Sequence, residues 1–269
     1  MAIDSSLFSA DVPAGSYTAG DVIQLKCIAG PKNVRSGRGN AFLKRILTAR
    51  LTDALPIWEI HVKNSDWIDE AISFAGQLSN IASLSKESGI IQSGCDNLLS
   101  PNSSWEVYAV CTFDHTSSSA ETLFSLIDID YPSVSAIQDP MQLQGIPTTI
   151  TYRMLDVPVY APGATAGANW TSESVDYLKA GFVYCLQCVE MVAYGADYGG
   201  FIAFANAAGM GGLQRIIPMG PSMNSIRYAV GYSSKLVKGP MDVRLMLFHA
   251  TAGTAKVVTH HDYVKKAIA

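Results

Sequence analysis

The stretch Trp105-Glu-Val-Tyr-Ala-Val-Cys-Thr-Phe113 is decisive for the fold class, because apolar residues recur in it at every second position. One face of the predicted strand carries Trp105, Val107, Ala109, Cys111 and Phe113. A period of two is typical of a β-strand with one buried face. The same alternation recurs over Trp58–Lys63 and Asp242–Leu247. The sequence therefore predicts a β protein.

Further strand candidates lie along the whole chain and are separated by clusters of Gly, Pro, Asn and Ser, as turns between short strands require. They are Val22–Ile28, Phe42–Leu51, Leu123–Asp130, Thr148–Leu155, Gly181–Ala193, Phe201–Ala205, Gln214–Pro218 and Ser225–Tyr232. We predict an all-β fold of the β-sandwich or jelly-roll type. Proline and glycine punctuate a low-charge connector, so we expect two β domains, over 1–135 and 148–269, joined by a linker over 136–147.

One segment departs from the β pattern. Between Asp66 and Leu84, apolar residues recur near helical spacing, and acidic residues occupy the first turn, where the helix dipole favours them. This spacing predicts one short helical insertion in the N-terminal domain.

Length and composition exclude several classes of protein. A chain of 269 residues can bury a core without metals or disulfides. Charged residues make up 16%, against about 25% in typical soluble domains, which argues against a disordered chain or a coiled coil. No signal sequence and no apolar run long enough to span a bilayer are present, so we expect synthesis in a cytoplasm and no membrane partner.

Charge is distributed unevenly along the chain. Residues 22–52 carry seven basic side chains and no acid, whereas residues 53–139 carry 13 acids and two lysines. A nucleic-acid-binding protein would present basic residues over a whole face, so we expect no nucleic-acid partner. Two interpretations remain open: the charges steer contact with a neighbouring subunit, or the basic and acidic stretches pair inside one sheet.

The five cysteines cannot all pair within one chain, and we interpret them as reduced thiols. Cys185 and Cys188 have the CxxC spacing of a zinc or redox motif. They fall in a predicted strand, where residues three apart lie on opposite faces. We therefore expect no zinc there, and we interpret the adjacent His260 and His261 as solvated surface residues.

Catalytic patterns are weak or absent. His61, His115 and His249 each stand alone, and Ser83-Leu-Ser-Lys86 lacks the partner motifs of the penicillin-recognising enzymes. Asp128 and Asp130 share one face of a strand and are the candidates for an acid-pair hydrolase. A solvated or interfacial strand face is the commoner explanation for such a pair. We predict a non-enzymatic protein without catalytic residues, cofactors or metal.

The segment Gly30-Pro-Lys-Asn-Val-Arg-Ser-Gly-Arg-Gly-Asn40 is rich in glycine and basic residues. It suits either contact with phosphates or a basic turn between two strands. We expect this turn to be exposed to solvent and to tolerate reversal of its charge.

Residues 14–132 resemble a group of virion proteins of tailed bacteriophages. The resemblance rests on Ser16-Tyr-Thr-Ala-Gly-Asp-Val-Ile23, the turn Val34-Arg-Ser-Gly-Arg-Gly39 and the strands Leu43–Asp53 and Trp58–Asn64. Trp105–Val110 and Leu123–Ile129 would supply the later strands. Such proteins are small β-sandwich structural proteins, often head decoration or cement proteins.

The resemblance implies a capsid decoration protein that binds the major capsid protein on the virion surface and stabilises the shell. We expect homo-oligomers, with the partner-binding residues Arg35, Arg38, Lys44 and Arg45. The alternative function is a carbohydrate-binding module of a tail fibre or lectin. That function requires exposed aromatic platforms, for which the candidates are Trp58, Trp67, Trp170, Tyr194 and Tyr198.

Overall fold

The computed structural model describes most of the predicted strands. The described residues are 2–37, 41–50, 58–74, 76–77, 98–131, 149–161, 163, 170–171, 176–194, 199–206, 213–219, 226–228, 236–249 and 251–267. Every regular element among them is a β-strand. No helix in this part of the chain is long and apolar enough to cross a membrane.

Residues 2–131 form two main sheets. The outer sheet has the order β3 (Val22–Gln24), β10 (Trp105–Cys111), β6 (Trp58–Asn64) and β7 (Ala71–Phe74). The inner sheet has the order β4 (Lys26–Ala29), β1 (Ala2–Val12), β12 (Glu121–Tyr131), β5 (Ala41–Arg50) and β8 (Gly76–Gln77), and β9 (Leu98–Leu99) also pairs with β5. A small ribbon pairs β2 (Gly15–Tyr17) with β11 (His115–Ser117).

Residues 149–267 form one nine-stranded sheet, which we call the wrapped sheet. Its order is β17 (Leu213–Met219), β16 (Gly199–Ala205), β20 (Met241–Phe248), β13 (Thr149–Tyr160), β21 (Gly253–Ala267), β15 (Phe182–Tyr194) and β18 (Ile226–Tyr228). In addition, β14 (Asp176–Leu178) pairs with β20, and β19 (Leu236–Lys238) pairs with β15.

The outer and inner sheets enclose the first core. Phe8 and Ile127 of the inner sheet pack in one cluster with Ile60 and Val107 of the outer sheet. The alternation in Trp105–Cys111 is the cause, because it gives β10 one fully apolar face. These two sheets form a β-sandwich.

The opposite face of the inner sheet is also buried. Leu7 and Phe124 belong to a second cluster, which contains Phe201 and Phe248 of the wrapped sheet. The ring centroid of Phe124 lies 5.2 Å from that of Phe201 and 5.1 Å from that of Phe248. Consecutive residues such as Leu7 and Phe8 therefore contribute to different cores, and the two halves of the chain share apolar packing.

Residues of the wrapped sheet form the third core. Its cluster combines Phe204 of β16 and Leu245 of β20 with Val157, Val257 and Tyr184 from β13, β21 and β15. Strand β20 pairs with β14 at Asp242 and with β13 at Leu247, so β20 changes its neighbour along its length.

The all-β prediction of the sandwich or jelly-roll type is confirmed. The predicted strand Val22–Ile28 is wrong as one element. It is interrupted at Leu25, which is buried and donates its backbone N–H to the Val107 carbonyl while the chain passes from the outer to the inner sheet. The predicted linker over 136–147 lies outside the described residues, and the two-domain division stays a prediction.

The predicted helix over 66–84 is wrong where the structure describes this segment. Trp67 donates its backbone N–H to the Asn64 carbonyl in a turn, and Ile68, assigned to an apolar helix face, is 98% exposed. Residues Ala71–Phe74 then pair with β6, so pairing with the outer sheet outweighs the local helical periodicity. Residues 78–84 lie outside the described part.

Gly200 provides a test of the packing between β16 and β20. A Cβ atom at this position would lie 2.2 Å from the backbone oxygen of Met246, which cannot move independently of its strand. We expect Gly200→Ala to lower the free energy of unfolding by about 1–3 kcal/mol, the usual cost of overpacking. Chemical denaturation measures this change.

Gly253→Ala is the matched control, because the residue is exposed and a Cβ atom there would have nothing within 4 Å. An equal effect of the two substitutions would contradict the close approach of β16 and β20.

Candidate interaction surface

Arg35, the first of the predicted partner-binding residues, is held inside the chain. Its Nε lies 2.6 Å from Oδ2 of Asp4, whose side chain is 1% exposed. The backbone N–H of Arg35 donates to the hydroxyl of the buried Tyr131 at 3.0 Å. The turn that carries Arg35 is therefore fastened to β1 and β12.

Arg45 is also held internally. Its Nε lies 2.9 Å and its Nη2 2.7 Å from Oδ2 of Asp128, and Ser5 Oγ donates to Oδ1 of the same carboxylate at 2.6 Å. The side chain of Asp128 is 1% exposed, so the ion pair compensates a carboxylate that is excluded from water. Asp4 and Ser5 are adjacent in β1, and the two ion pairs lie on opposite faces of the inner sheet.

Lys44 is exposed, whereas the adjacent Arg45 binds Asp128, because Lys44 lies at a β-bulge. Asp128 pairs with Arg45 and Ile129 pairs with Leu43, which leaves Lys44 as the extra residue, and it is exposed. Burial raises the pKa of the nearby Asp130, although the charge of Lys44 acts in the opposite direction. Arg38 lies outside the described residues.

These contacts bear on the two interpretations of the uneven charge. Basic β5 pairs with acidic β12, and Arg45 contacts Asp128, so pairing of the two stretches within one sheet is confirmed for these residues. The expectation that the whole basic turn tolerates charge reversal is wrong at Arg35, because a glutamate there would face the buried Asp4. Asp128 is engaged by Arg45 and Ser5, which does not suit it to act in a hydrolytic pair with Asp130.

The outer sheet carries a polar cluster that sequence reasoning missed. His61 does not stand alone, because its Nδ1 lies 3.0 Å from Glu70 Oε1 and its Nε2 lies 3.5 Å from Glu59 Oε2. The His61 ring stacks on Tyr108 with centroids 5.0 Å apart, and Tyr108 donates its hydroxyl proton to Glu70. The pairing of β6 with β10 places His61 opposite Tyr108, on the face that points away from the first core.

The hydrogen bonds of this cluster shift two pKa values. Burial raises the pKa of Tyr108 to about 12, together with its hydrogen bond to Glu70. For Glu70, burial raises the pKa, but the hydrogen bonds with Tyr108 and His61 outweigh it and hold the pKa below its ordinary value. The cluster thus holds Glu70 as a carboxylate and fixes side chains across β6, β10 and the turn before β7.

Of the five residues predicted as carbohydrate platforms, the three tryptophans are described, and they are buried. Trp58, Trp67 and Trp170 are 6%, 7% and 8% exposed and belong to the cores or pack beside them. The side chain of Tyr194 and the whole of Tyr198 lie outside the described part. The three tryptophans therefore stabilise the fold instead of presenting flat faces to a ligand.

A second aromatic group surrounds His115. This ring stacks on Tyr17 at 5.4 Å and lies 3.5 Å, through Nδ1, from the Cys111 thiol. Burial raises the pKa of Cys111, and it does the same for Cys27. Neither thiol has the lowered pKa that an activated nucleophile needs.

The strand that carries Cys185 and Cys188 is irregular. In the pairing of β15 with β21, the register shifts between Leu186 and Cys188, so Gln187 is an extra residue. The regular alternation from which we inferred opposite faces is interrupted at this point. Ser83 and Lys86 lie outside the described residues.

Arg45→Ala tests the ion pair that supports the inner sheet. The change removes the Arg45 guanidinium from the buried Asp128, so we expect a loss of about 3–5 kcal/mol in the free energy of unfolding. Lys44→Ala, one residue away and exposed, should change it by less than about 0.5 kcal/mol. Equal, small effects in chemical denaturation would contradict a structural role for Arg45.

The variant Tyr108→Phe tests the polar cluster through the pH dependence of the free energy of unfolding. The pKa of Glu70 is lower in the folded chain than in the unfolded chain, so its stabilisation is present above the ordinary glutamate pKa and is lost as pH falls through the folded value. We expect the variant to be less stable by under about 1 kcal/mol at neutral pH, since the cluster is partly exposed.

This difference between Tyr108→Phe and the wild type should shrink once the pH falls below the folded pKa of Glu70. Denaturation curves across the acidic range measure it. A difference that does not change with pH would show that Tyr108 does not act on Glu70.

No family model matches the sequence, and no curated protein matches it significantly. Similar chains in solved structures include the STIV MCP, at 12% identity over 96% of each chain with a TM-score of 0.25. They also include infectious bursal disease virus, Gx strain, at 8% identity over 97% of this chain and 72% of that chain, with a TM-score of 0.26. The VP2 subviral particle of infectious bursal disease virus is 7% identical over 98% and 71%, with a TM-score of 0.28. Scores of this size do not show a shared fold.

Proposed function

We propose that the chain is a non-enzymatic structural protein of a virion, a decoration protein that binds the shell of the major capsid protein and stabilises it. The proposal rests on one observation: described side chains that could take part in catalysis are buried or bind other groups of the same chain. Asp128 is bound by Arg45 and Ser5, and the Cys111 thiol is buried. Groups used in this way hold strands together and are poorly placed to transform a substrate.

The layered architecture supports the same proposal. An inner sheet with apolar packing on both faces gives a stiff body whose remaining surfaces are available for association. We infer that the chain also associates with copies of itself, as subunits on a repetitive shell do. The resemblance of residues 14–132 to decoration proteins of tailed bacteriophages supports the choice of this kind of virion protein.

We propose that Arg35, Arg38, Lys44 and Arg45 serve the contact with the shell, and that this contact lies at the end of the inner sheet that carries Lys44. Of the described members, Lys44 is the one that is exposed at a bulge, where its ammonium group is available to an acidic partner. Arg35 and Arg45 shape this end through Asp4 and Asp128. We therefore propose that Lys44 contacts an acidic group of the shell directly and that the two arginines hold this end of the sheet in position.

Lys44→Glu tests this surface. Purified protein is added to particles of the encoding virus that have been stripped of it, and bound protein is quantified. We expect the variant to fold as the wild type does and to bind about tenfold more weakly, the equivalent of about 1.4 kcal/mol. Raised salt should weaken wild-type binding in the same direction.

Lys26→Glu is the matched control, because it makes the same charge change at an exposed position. Lys26 lies in β4, at the edge of the inner sheet opposite β5 and β8. Equal binding by wild type and Lys44→Glu would show that this end does not face the shell. Absence of wild-type binding to the stripped particles would contradict the decoration function itself.

A further inference from the structure

The turn that follows β6 displays an isoleucine to solvent. Of the large apolar side chains that the structure describes, Ile68 is the most exposed, at 98%. Its neighbour Trp67 belongs to the first core, where its ring meets that of Trp105 in a T-shaped arrangement with centroids 5.4 Å apart. The turn therefore buries one apolar side chain and holds the next one in water.

Hydrogen bonds fix this turn on both sides of Ile68. Trp67 donates its backbone N–H to the Asn64 carbonyl at 3.0 Å, and Asp66 donates its own to the side-chain oxygen of Asn64 at 3.0 Å. On the other side, Glu70 is held by the polar cluster of the outer sheet. Single exposed apolar side chains are common on protein surfaces, but one on an ordered turn loses little conformational freedom when it binds a partner.

Two further turns lie beside this one. Ser65 donates its backbone N–H to the Ser104 carbonyl at 3.0 Å, and Val34 donates its own to the Ser103 carbonyl at 2.9 Å. These contacts bring three turns together at one end of the sandwich, which we call the loop end. The three turns are residues 31–37, 64–70 and 98–104.

A second exposed apolar side chain lies at the loop end. Leu98 of β9 is 47% exposed, whereas the adjacent Leu99 belongs to the first core. Asp66 Oδ2 accepts a hydrogen bond from the backbone N–H of Ser100 at 2.6 Å. The turn that carries Ile68 is therefore fastened to the segment that follows Leu98.

Leu98 connects the loop end to the proposed contact with the shell. It pairs with Phe42 of β5, and Lys44 follows two residues later at the bulge. The exposed apolar side chains and the lysine assigned to the shell contact therefore belong to the same end of the molecule.

Charge at the loop end is mixed. Lys32 and Lys44 are exposed, and so is Asp69, which is next to Ile68. A nucleic acid or an anionic lipid surface would require basic side chains across the contact. An apolar centre surrounded by polar and charged groups is the usual anatomy of a contact between two proteins. The loop end therefore fits a protein partner.

We propose that Ile68 and Leu98 are the apolar anchors of the contact with the shell. The shell protein receives them in an apolar depression, with an acidic group opposite Lys44. This inference rests on the proposed function and adds to it the chemistry of the surface that the chain recognises.

Particle binding by Ile68→Ser tests the inference. Purified variant is added to stripped particles of the encoding virus, and bound protein is quantified. We expect binding about 10- to 100-fold weaker than that of the wild type, the loss that corresponds to an isoleucine side chain no longer buried in the contact. Leu98→Ser should weaken binding in the same direction, whereas Ile68→Leu keeps the apolar area and should bind as the wild type does.

Val22→Ser is the matched control. Val22 is also β-branched and is 60% exposed, but it pairs with Val110, near the end of β10 that lies away from the loop end. We expect this variant to bind as the wild type does. Because Ile68 is 98% exposed, Ile68→Ser should unfold at the same denaturant concentration as the wild type. If it fails to fold, Leu98→Ser takes its place in the binding assay.

Raised salt separates the apolar contact from the charge contact. Salt screens Lys44, so the difference in binding between the wild type and Lys44→Glu should shrink. The difference between the wild type and Ile68→Ser should persist, because the burial of apolar surface does not depend on screening. A difference for Ile68→Ser that disappears in high salt would overturn the assignment of Ile68 as an apolar anchor.

The binding assay also distinguishes failure of this inference from failure of the proposed function. Wild-type binding with equal binding by Ile68→Ser, or with an equal loss in Val22→Ser, would overturn the inference alone. Absence of wild-type binding to the stripped particles would overturn the inference and the decoration function together.

Discussion

The inner sheet is buried on both faces, and the rest of the structure depends on this constraint. The described side chains of the central strands β1 and β12 are buried except for the partly buried Asp11 and Asp130, and the adjacent Leu7 and Phe8 belong to different cores. A strand in this position has no solvent-facing side on which polar residues can be placed without cost. Asp4, Ser6 and Asp128 of these strands accordingly have partners within the protein.

The two ion pairs are the consequence of that constraint. Asp4 and Asp128 lie in the central strands, and the cations that compensate them come from the turn before β5 and from β5 itself. The unusual concentration of basic residues in 22–52 is thus explained in part by the carboxylates of the inner sheet. Among the described basic residues of this stretch, Lys26, Lys32 and Lys44 are exposed, and Lys44 is the one displaced from the ladder by a bulge.

The sequence predicts the fold correctly where the pattern within a single strand determines which of its faces is buried. The alternation in Trp105–Cys111 predicted the buried face of β10, and strands β5 and β12 appear where the pattern placed them. Prediction from the sequence fails where contact with a segment distant in the sequence determines the local structure. Ala71–Phe74 is a strand because β6 lies beside it, and Leu25 divides a predicted strand because Val107 binds its backbone.

The candidate sites show the same limit. The bulges at Lys44 and Gln187 each insert one residue into a strand and shift its register with the neighbouring strand. The periodicity of a single strand does not reveal such a shift. The partner of His61 was hidden for a related reason, because Glu70 follows a turn that local spacing assigned to a helix. Arg35 was correctly recognised as part of a basic turn, but its buried partner Asp4 lies in another strand.

The central claim is that this chain acts as a structural subunit on a virus shell. A cryo-electron microscopy map of purified particles of the encoding virus tests it most directly. The account predicts density into which the outer, inner and wrapped sheets fit, attached to the shell at the end of the inner sheet that carries Lys44. A map of intact particles without this density, with the chain also absent from the particle by mass spectrometry, would contradict the account.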